Sequence, residues 1–319
     1  MFSIVVPVFN EEQSLRQLHA ELDEVARMND YRVEIIFVDD GSSDGSWGVI
    51  EQLAAEDGRV RAVRFRKNFG KAAALSAGFA QCRGEVVMTL DADLQDDPKE
   101  IPRFLETLGE KWDVVSGWKK VRHDPWHKVI PSRMFNWLVS KLTGVTLHDH
   151  NCGMKCYRRE VFGEVQLYGE LHRFVPVLAA ARGYRVGELV IQHRRRPFGR
   201  SKYGFSRFLK GFLDLLTVKF LTGFAQRPQH MLGTVGLVAF VLGLFGMTYL
   251  AATWGISRID PDVAPVHLHE RPALVYSVAL LLLGGQLMSI GFVAELLIAY
   301  HSPNIPPYSI RERIEPREG

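Results

Sequence analysis

The residues of this chain best suited to chemistry are two aspartates one position apart, Asp91 and Asp93, which follow an apolar run. Side chains at positions i and i+2 of a strand end face the same way, so the two carboxylates can share one hard divalent cation. Water and diphosphate oxygens would complete the coordination of this cation. The spacing predicts a site for Mg²⁺ or Mn²⁺, and an ordinary surface loop with the same two residues is the alternative.

A second acidic loop follows another apolar run, where Asp39 and Asp40 precede the turn-forming residues 41–44. A carboxylate here can accept hydrogen bonds from a nucleobase N–H or from ribose hydroxyls, and small residues let the backbone approach a ligand. A capped turn without a ligand is the alternative. A third polar segment, residues 7–12, ends the first apolar run and favours the binding site over the bare turn.

These loops need a scaffold, and the first third of the chain alternates short apolar runs with amphipathic stretches. That alternation is typical of a mostly parallel sheet covered by helices. Helices are predicted over residues 12–28 and 46–56. Strands are predicted over residues 2–6, 33–39, 60–66, 85–90 and 114–117. The strand ends at residues 7, 39, 68 and 91 should then share one carboxyl edge, where open α/β sheets bind ligands.

The last third of the chain predicts attachment to a membrane. Residues 231–256 and 273–294 contain no charged side chain, and each stretch exceeds the roughly 20 residues that cross a bilayer. Basic residues precede the first stretch and follow the second, which predicts two spans with both termini in the cytoplasm. Residues 206–226 have amphipathic spacing and are predicted to form one or two helices in the membrane interface, or alternatively a core helix.

Composition narrows the classes of function. The chain has 319 residues, of which 47% are hydrophobic and 24% charged, and this suits one large globular domain or two modest ones. A net charge of +3, without a basic module interleaved with aromatic residues, argues against nucleic acid as a partner. Three cysteines without a disulfide pattern fit a reducing, cytosolic compartment. The first apolar run is interpreted as a buried strand and not as a signal peptide.

Four motifs together resemble the GT-A fold glycosyltransferases of family 2. They are residues 6–12, 39–44, 68–71 and 91–98, with the sequences VPVFNEE, DDGSSD, NFGK and DADLQDDP. More narrowly, they are similar to the polyprenyl-phosphate glycosyltransferases, which include dolichyl-phosphate mannose synthases and bacterial undecaprenyl-phosphate glucosyl and aminoarabinose transferases. The resemblance covers about residues 1–205, and the two spans resemble the bacterial two-helix branch.

The resemblance implies an α/β catalytic domain of the GT-A fold, Rossmann-like with a mostly parallel sheet, followed by interfacial amphipathic helices and two transmembrane helices. The implied domains are residues 1–205 for catalysis, 206–230 for juxtamembrane helices, 231–256 and 273–298 for the spans, 257–272 for a non-cytoplasmic loop and 299–319 for a cytoplasmic tail. The implied reaction is metal-dependent, inverting transfer of a sugar from a UDP- or GDP-linked donor to a polyprenyl phosphate, expected to be undecaprenyl phosphate. The product would be a lipid-linked monosaccharide for the cell envelope, made at the cytoplasmic face of the inner membrane, and the resemblance also allows a homo-oligomer.

The resemblance also implies roles for individual residues. Contacts with the nucleotide are implied for Pro7, Asn10, Glu11, Asp39, Asp40, Lys71, Asp91 and Ala92. Metal binding is implied for Asp91, Asp93 and Gln95. Binding of the acceptor and the diphosphate is implied for Lys119, Lys128, Ser132, Arg133, Arg196, Arg200, Ser201 and Lys202. The last four belong to a segment, residues 196–203, that matches a flexible loop closing over both phosphates, and the catalytic residues are expected to be Asp93, Asp149 and Arg196.

The basic residues also make physical sense, because the reaction brings a diphosphate and a phosphate monoester into one site and their like charges must be neutralised. Arginine adds bidentate geometry to that neutralisation. The alternative for residues 194–202 is a juxtamembrane basic patch that binds anionic lipid, and this role can hold alongside catalysis.

Asp149 lies in a stretch rich in His and Cys, residues 148–156, whose spacing matches no common zinc template. The resemblance implies that Asp149 is a general base. A phosphate monoester with a second pKa of about 6 is largely dianionic at neutral pH, however, and needs no base. Asp149 would then orient the sugar or the basic side chains. Residues 170–174 resemble another family segment near the acceptor, without a role that physics assigns.

Two other functions stay open from the sequence. A processive polysaccharide synthase shares the nucleotide fold and membrane spans, but it usually adds a Gln-x-x-Arg-Trp motif and further spans, and this chain has neither. A non-catalytic, nucleotide-sugar-binding partner of a flippase or assembly complex would have broken site residues, whereas the acidic and basic sets are both present here.

Overall fold

The computed structural model describes residues 1–109, 111–120, 126–165, 171–194, 197–198, 206–224, 228–260, 262 and 264–301. Within its helices, only the backbone is described for residues 126–130, 206–210, 220, 221, 223, 224 and 298–301. Residues Met1–Thr222 form one unit, and the described residues after Thr222 form a second.

One mixed sheet lies at the centre of the first unit. Its strands are β1 (Phe2–Val8), β2 (Val33–Asp39), β3 (Val60–Arg64), β4 (Val86–Thr89), β5 (Val114–Trp118), β6 (Lys155–Arg158) and β7 (Val186–Val190). Their order is β3-β2-β1-β4-β6-β5-β7. Strand β6 runs antiparallel to both neighbours, and the other pairs are parallel. The predicted α/β fold with a mostly parallel sheet is confirmed.

The register of the central strands brings their ends to one edge. Val8 at the end of β1 pairs with Asp39 at the end of β2, and Asp39 pairs with Arg64 at the end of β3. Strand β4 pairs with the other side of β1, where Thr89 lies opposite Val5. Because parallel strands point their carboxyl ends the same way, the loops after β1, β2 and β4 open at the same edge.

Helices cover both faces of this sheet. Side chains alternate between the faces of a strand. Accordingly, Ile4 of β1 belongs to a buried cluster with Leu15, whereas Val5 belongs to another with Leu75. The helices of the first unit are α1 (Glu12–Met28), α2 (Ser46–Glu56), α3 (Lys71–Gln81), α4 (Ile101–Leu108), α5 (Trp126–Thr143), α6 (Val161–Glu164), α7 (Val175–Ala181) and α8 (Ser206–Phe224). Short 3₁₀ helices occur at Pro98–Glu100 and Leu171–Phe174.

The predicted elements agree with the structure most closely in the first third of the chain. Helices α1 and α2 begin and end at the predicted residues. Strands β3 and β4 are shorter than predicted, since they end at Arg64 and Thr89. Beyond each end, one backbone hydrogen bond extends the pairing, from Phe65 N to Asp39 O at 2.8 Å and from Leu90 N to Val5 O at 3.2 Å.

Helix α8 is one continuous helix with two different sides. Leu215 and Val218 are fully buried in a cluster shared with α5 and α7. Apolar residues on its other side are about half exposed, namely Phe212, Leu213 and Leu216. The location of this exposed side in a membrane interface stays a prediction.

The second unit contains α9 (Pro228–Ile259) and α10 (Pro272–His301), which pack along each other, and a 3₁₀ helix at Leu268–Glu270. Small residues permit the close approach of the two long helices. A Cβ atom added to Gly284 would lie 2.4 Å from Phe240 N, and one added to Gly243 would lie 2.5 Å from Leu281 N. Both helices are long and apolar enough to cross a membrane.

Candidate active site

The two aspartates follow β4 in a turn that is fixed to the core by apolar residues. Ala92 and Leu94 are buried, and Leu94 has a φ of 61°. A left-handed conformation of a residue other than glycine costs on the order of 1–3 kcal/mol and often occurs at functional sites. Asp93 Oδ1 accepts a hydrogen bond from Gln95 N at 3.1 Å. The turn therefore holds Asp91 and Asp93 at the carboxyl edge of the sheet in a defined conformation.

Lys71, the first residue of α3, supplies a positive charge to Asp91. Its Nζ donates a hydrogen bond to Asp91 Oδ1. Burial raises the pKa of Asp91, but the charges of Lys71 and Lys119 outweigh burial and lower this pKa below its ordinary value. A Cβ atom on Gly153 would lie 2.5 Å from Asp91 Oδ2, so glycine is required beside this carboxylate. Asp91 is therefore an ionised, closely packed carboxylate at neutral pH.

The loops after β1 and β2 are joined by hydrogen bonds. Asn10 N donates to Ser42 Oγ at 2.9 Å, and Asn10 Oδ1 accepts from Ser43 N at 2.8 Å. Glu11 N donates to Ser46 Oγ at 2.9 Å. Asn10 has a φ of 53°, a conformation that Asn adopts more readily than most residues. The two loops thus form one preshaped rim at the edge of the sheet.

Asp39 has one carboxylate oxygen bound within the protein and one left over. Its Oδ1 accepts a hydrogen bond from Ser42 N at 3.2 Å. Its Oδ2 lies 3.5 Å from Arg64 Nε and has no hydrogen bond within the described part of the chain. Because Asp39 is fully buried, its Oδ2 is a buried hydrogen-bond acceptor that can accept from a bound ligand.

Asp40 directs both of its oxygens at the loop before α3. Its Oδ1 accepts from Phe69 N at 2.7 Å, and its Oδ2 accepts from Gly70 N at 3.0 Å. Burial raises the pKa of Asp40, and these backbone hydrogen bonds offset only part of that rise. Asp40 therefore holds the segment that leads directly into Lys71.

Lys119, which directly follows β5, connects that strand to the aspartate turn. Its Nζ lies 2.8 Å from Asp96 Oδ1, and Asp96 is fully buried. Burial lowers the pKa of Lys119, but the charge of Asp96 outweighs burial and raises this pKa above its ordinary value. Lys119 is therefore charged at neutral pH, and its charge lowers the pKa of Asp91.

Asp149 lies between α5 and β6 in a buried segment. The residue is 1% exposed, and its Oδ1 accepts a hydrogen bond from Asn151 N at 3.0 Å. Ser132 and Arg133 lie on α5, where Ser132 is partly buried and Arg133 is exposed. Both residues therefore lie on the helix that precedes Asp149 in the chain.

The sequence is similar to proteins of known activity. Residues 3–166 match the model of Glycosyl transferase family 2. The chain belongs to this family. It is 37% identical over 317 residues to dodecaprenyl-phosphate galacturonate synthase of Rhizobium johnstonii, covering 97% of this chain and 92% of that protein. It is also 37% identical over 299 residues to undecaprenyl-phosphate 4-deoxy-4-formamido-L-arabinose transferase of Pseudomonas fluorescens, covering 92% and 84% of the two proteins.

Solved structures share the fold of this family 2 glycosyl transferase. Glucosyl-3-phosphoglycerate synthase of Mycobacterium tuberculosis, crystallised with Mn²⁺, UDP-glucose and phosphoglyceric acid, aligns with a TM-score of 0.52 at 19% identity. The alignment covers 70% of this chain and 79% of that chain. The resemblance to the GT-A fold and to family 2 that the motifs indicated is confirmed.

The residues at the sheet edge of this glycosyl transferase fit a divalent cation. Asp91 and Asp93 offer hard oxygen donors from one rigid turn, as Mg²⁺ and Mn²⁺ prefer. No group of three or more His, Cys, Asp or Glu residues suited to a metal occurs among the described residues. A cation here would complete its coordination with water and donor phosphates, which is the usual mode for Mg²⁺.

The predicted donor and metal residues fall into two neighbouring groups. Asp91, Ala92, Asp93 and Gln95 share the turn after β4, next to Lys71 and Lys119. Asn10, Glu11 and Asp40 lie in the joined loops after β1 and β2, Asp39 ends β2, and Pro7 lies within β1. Of the other predicted residues, Asp149 lies between α5 and β6, and Ser132 and Arg133 lie on α5. Five predicted positions cannot be placed in this way: the side chain of Lys128 and the whole of Arg196, Arg200, Ser201 and Lys202 lie outside the described residues.

Sequence reasoning missed two buried titratable residues of this transferase. Lys155 on β6 donates a hydrogen bond to Cys152 O, and burial lowers the pKa of Lys155 to about 8. His172, in the 3₁₀ helix after residue 170, has its pKa lowered well below the ordinary value by burial and then by the charge of Lys71. Lys155 carried a signal, since it is the one charged residue in the run of residues 152–157. His172 lies in residues 170–174, whose resemblance to a family segment near the acceptor was its signal.

Proposed function

We propose that this glycosyl transferase moves a sugar from a nucleotide-diphosphate sugar onto a polyprenyl phosphate, with inversion at the anomeric carbon. The observation that carries the proposal is the group of Asp91, Asp93 and Lys71 at the carboxyl edge of a family 2 fold. The choice of acceptor is supported by two relatives of nearly full length, whose names specify dodecaprenyl and undecaprenyl phosphate.

The donor nucleotide would bind at the joined loops after β1 and β2. Asp39 Oδ2 is a buried acceptor suited to a nucleobase N–H, and the rim formed by Asn10 and Glu11 is already shaped. Lys71 lies beside Asp91, where its ammonium group can neutralise a donor phosphate. Such prearranged contacts supply much of the rate gain through positioning.

Asp91, Asp93 and Gln95 would hold Mg²⁺ or Mn²⁺. A bound cation of this kind acts as a Lewis acid that stabilises the departing diphosphate. The chain contributes the fixed turn that presents both carboxylates and the charges of Lys71 and Lys119 that keep Asp91 ionised. The Mn²⁺ in the crystals of the mycobacterial synthase is consistent with this assignment.

In the proposed step an oxygen of the lipid phosphate attacks the anomeric carbon opposite the leaving group. The new C–O bond joins the sugar to the lipid phosphate, and the bond between the sugar and the diphosphate breaks with its electron pair on the nucleoside diphosphate. With a second pKa of about 6, the attacking phosphate is mostly a dianion and has no proton to lose. Asp149 would orient the acceptor, and Ser132, Arg133, Lys128, Arg196, Arg200, Ser201 and Lys202 would bind the phosphates.

Helices α9 and α10 would span the membrane and hold the site where a long-chain lipid presents its phosphate. The excess of basic residues before α9 and after α10 supports a cytoplasmic location of both termini. The division into a catalytic part at 1–205, interfacial helices at 206–230, two spans and a short tail belongs to the same proposal.

Transfer of labelled sugar tests this function. The full-length protein in detergent would be incubated with undecaprenyl phosphate, Mg²⁺ or Mn²⁺, and a panel of donors that includes UDP-galacturonate, UDP-4-deoxy-4-formamido-L-arabinose, UDP-glucose and GDP-mannose. We expect one donor to give labelled sugar in the extracted lipid. Chelation of the metal should abolish this labelling. Tight nucleotide binding without lipid product from any donor would contradict the proposal, and release of free sugar without lipid would indicate a hydrolase.

A further inference from the structure

Residues 148–151, which carry Asp149 and are called the Asp149 segment below, form neither helix nor strand. Such a segment keeps a functional side chain in place only when other elements bind its polar backbone groups. Helix α5 and strand β7 both do so here.

From α5, Asn136 binds the segment with both ends of its amide. Its Nδ2 donates to His148 O at 2.9 Å, and its Oδ1 accepts from Asn151 Nδ2 at 3.3 Å. One turn later, Ser140 Oγ lies 3.1 Å from His150 Nε2. Asn136 is 3% exposed, so its hydrogen bonds are shielded from water and hold the segment firmly.

From β7, the carboxylate of Glu188 binds the start of the segment. Its Oε1 accepts from His148 N at 2.8 Å and from Asp149 N at 3.0 Å, and its Oε2 lies 2.7 Å from His148 Nδ1. The His148 ring also stacks on Trp118 with ring centroids 3.9 Å apart. Backbone N–H groups of the segment are therefore held by β7, and the carbonyl of His148 is held by α5.

Helix α5 also carries Ser132, one of the residues proposed to bind the acceptor phosphate. Ser132 and Asn136 are four positions apart, so they lie on the same face of the helix. We propose that Asn136 is a positioning residue that fixes Asp149 relative to the acceptor-binding face of α5, with Glu188 as the second anchor. This inference rests on the proposed transfer to a polyprenyl phosphate.

Loss of the Asn136 side chain should impair turnover and not donor binding. The donor residues lie on the loops after β1, β2 and β4. The hydrogen bonds that Asn136 and Glu188 make here go instead to His148, Asp149 and Asn151. A displacement of a catalytic group by about 1 Å can cost on the order of a hundredfold in rate. An Asn136 variant should therefore have a lower kcat and a nearly unchanged KM for the donor.

A purely structural Asn136 would behave differently, because its loss would weaken the whole helix whether or not Asp149 is present. A double-mutant cycle separates the two cases, since residues that act through one another are not additive. Thr143→Ala is the matched control. Thr143 Oγ1 donates to Val139 O at 2.7 Å and accepts from Val145 N at 3.4 Å, so this change removes hydrogen bonds at the end of α5 that do not involve residues 148–151.

The experiment measures transfer kinetics of the full-length protein in detergent for wild type, Asn136→Ala, Asp149→Asn, the double variant, Glu188→Ala and Thr143→Ala. We expect Asn136→Ala to lower kcat about tenfold and to change the donor KM less than about twofold. In the Asp149→Asn background the same change should cost less than about twofold, because its target is already gone. Glu188→Ala should repeat the kcat loss, because it removes the oxygen that accepts from both backbone N–H groups, and Thr143→Ala should match wild type.

Four results would overturn the inference while leaving the proposed function standing. They are equal losses in both backgrounds, a rise in donor KM as large as the fall in kcat, full activity of Asp149→Asn, and an equal loss in Thr143→Ala, which would assign the effect to helix stability. Absence of transfer by the wild-type protein to any polyprenyl phosphate would instead overturn the proposed function itself.

Discussion

Among single residues, charge neutralisation dominates the edge of the sheet. Lys71 pairs with Asp91, and Lys119 pairs with Asp96. Both cations lower the pKa of Asp91 against the effect of burial. These two lysines come from different elements, so the positive charge that a diphosphate needs is assembled only in the folded chain. Such preorganised charge is the largest contribution to many enzymatic rate gains.

His150 makes stability depend on pH. Burial, followed by the charge of Lys155, lowers the pKa of His150 to about 3 from its ordinary 6.5. The unfolded chain therefore binds a proton at this residue while the folded chain does not, and stability falls as the pH drops below about 6.5. At a pH of about 5 the loss amounts to about 2 kcal/mol.

We expect His150→Gln to remove this part of the pH dependence, because glutamine has no proton to gain. The measurement is the midpoint of thermal unfolding in detergent at several pH values between about 5 and 7.5. The wild-type midpoint should fall towards low pH more steeply than that of the variant. Parallel curves for the two proteins would show that His150 is not the group responsible.

Among the elements, those with local signals could be predicted and those built from distant pairings could not. Helix α1 was predictable because Leu15, Leu18 and Leu22 recur at helical spacing and are all buried. The turn of Asp91 and Asp93 was predictable because two carboxylates follow an apolar strand. Strands β6 and β7 were missed, since both are short and β6 inserts antiparallel between β4 and β5.

Parts of the site that depend on contacts between distant residues could not be predicted either. The hydrogen bonds that Glu188 accepts from His148 N and Asp149 N join residues about 40 positions apart in the chain. No local pattern marks such a contact, and Asn136 is likewise one polar residue in an unremarkable helix. The roles of Asp39 and Asp40 also separate only in the structure, because adjacent residues point to different partners.

The loop between β3 and α3 depends on Asp40. We expect Asp40→Asn to raise the KM for the donor about tenfold. The variant replaces Oδ2, which accepts from Gly70 N at 3.0 Å, with an NH₂ group that cannot accept, and Lys71 would lose its fixed position. The measurements are the KM for the donor and the midpoint of thermal unfolding, each for wild type and variant.

The control for this loop is Asp57→Asn. Asp57 Oδ1 also accepts from a backbone N–H, that of Arg59 at 2.9 Å, but it directly follows α2. This variant should lower the unfolding midpoint without changing the donor KM. Equal effects of the two variants on KM would refute a special role for the loop before α3.

In the whole molecule, a unit with the family 2 fold is followed by two long apolar helices. Glu295 of α10 caps the N-terminus of α9, because Gln229 N donates to Glu295 Oε2 at 3.2 Å. Glu295 thus has a structural partner within the pair. Two helices that are long and apolar enough to cross a membrane suit the proposed polyprenyl phosphate acceptor.

Two adjacent glycines of α10 test the packing of this pair. A Cβ atom on Gly284 would lie 2.4 Å from Phe240 N, whereas one on Gly285 would have nothing within 4 Å. We expect Gly284→Val to lower the unfolding midpoint in detergent clearly, and Gly285→Val to leave it nearly unchanged. Equal midpoints for the two variants would show that the helices do not pack through Gly284.

Displacement of the nucleoside diphosphate by a lipid phosphate is tested most directly by the chemical identity of the product. The full-length protein, a divalent cation, the active donor and undecaprenyl phosphate would be incubated together, and the product would be analysed by mass spectrometry and NMR. We expect a sugar joined to the prenyl phosphate, with the anomeric configuration opposite to that of the donor, and none with Asp93→Asn. A product of retained configuration, free sugar alone, or equal product from Asp93→Asn would contradict an inverting, Asp93-dependent transfer to the lipid.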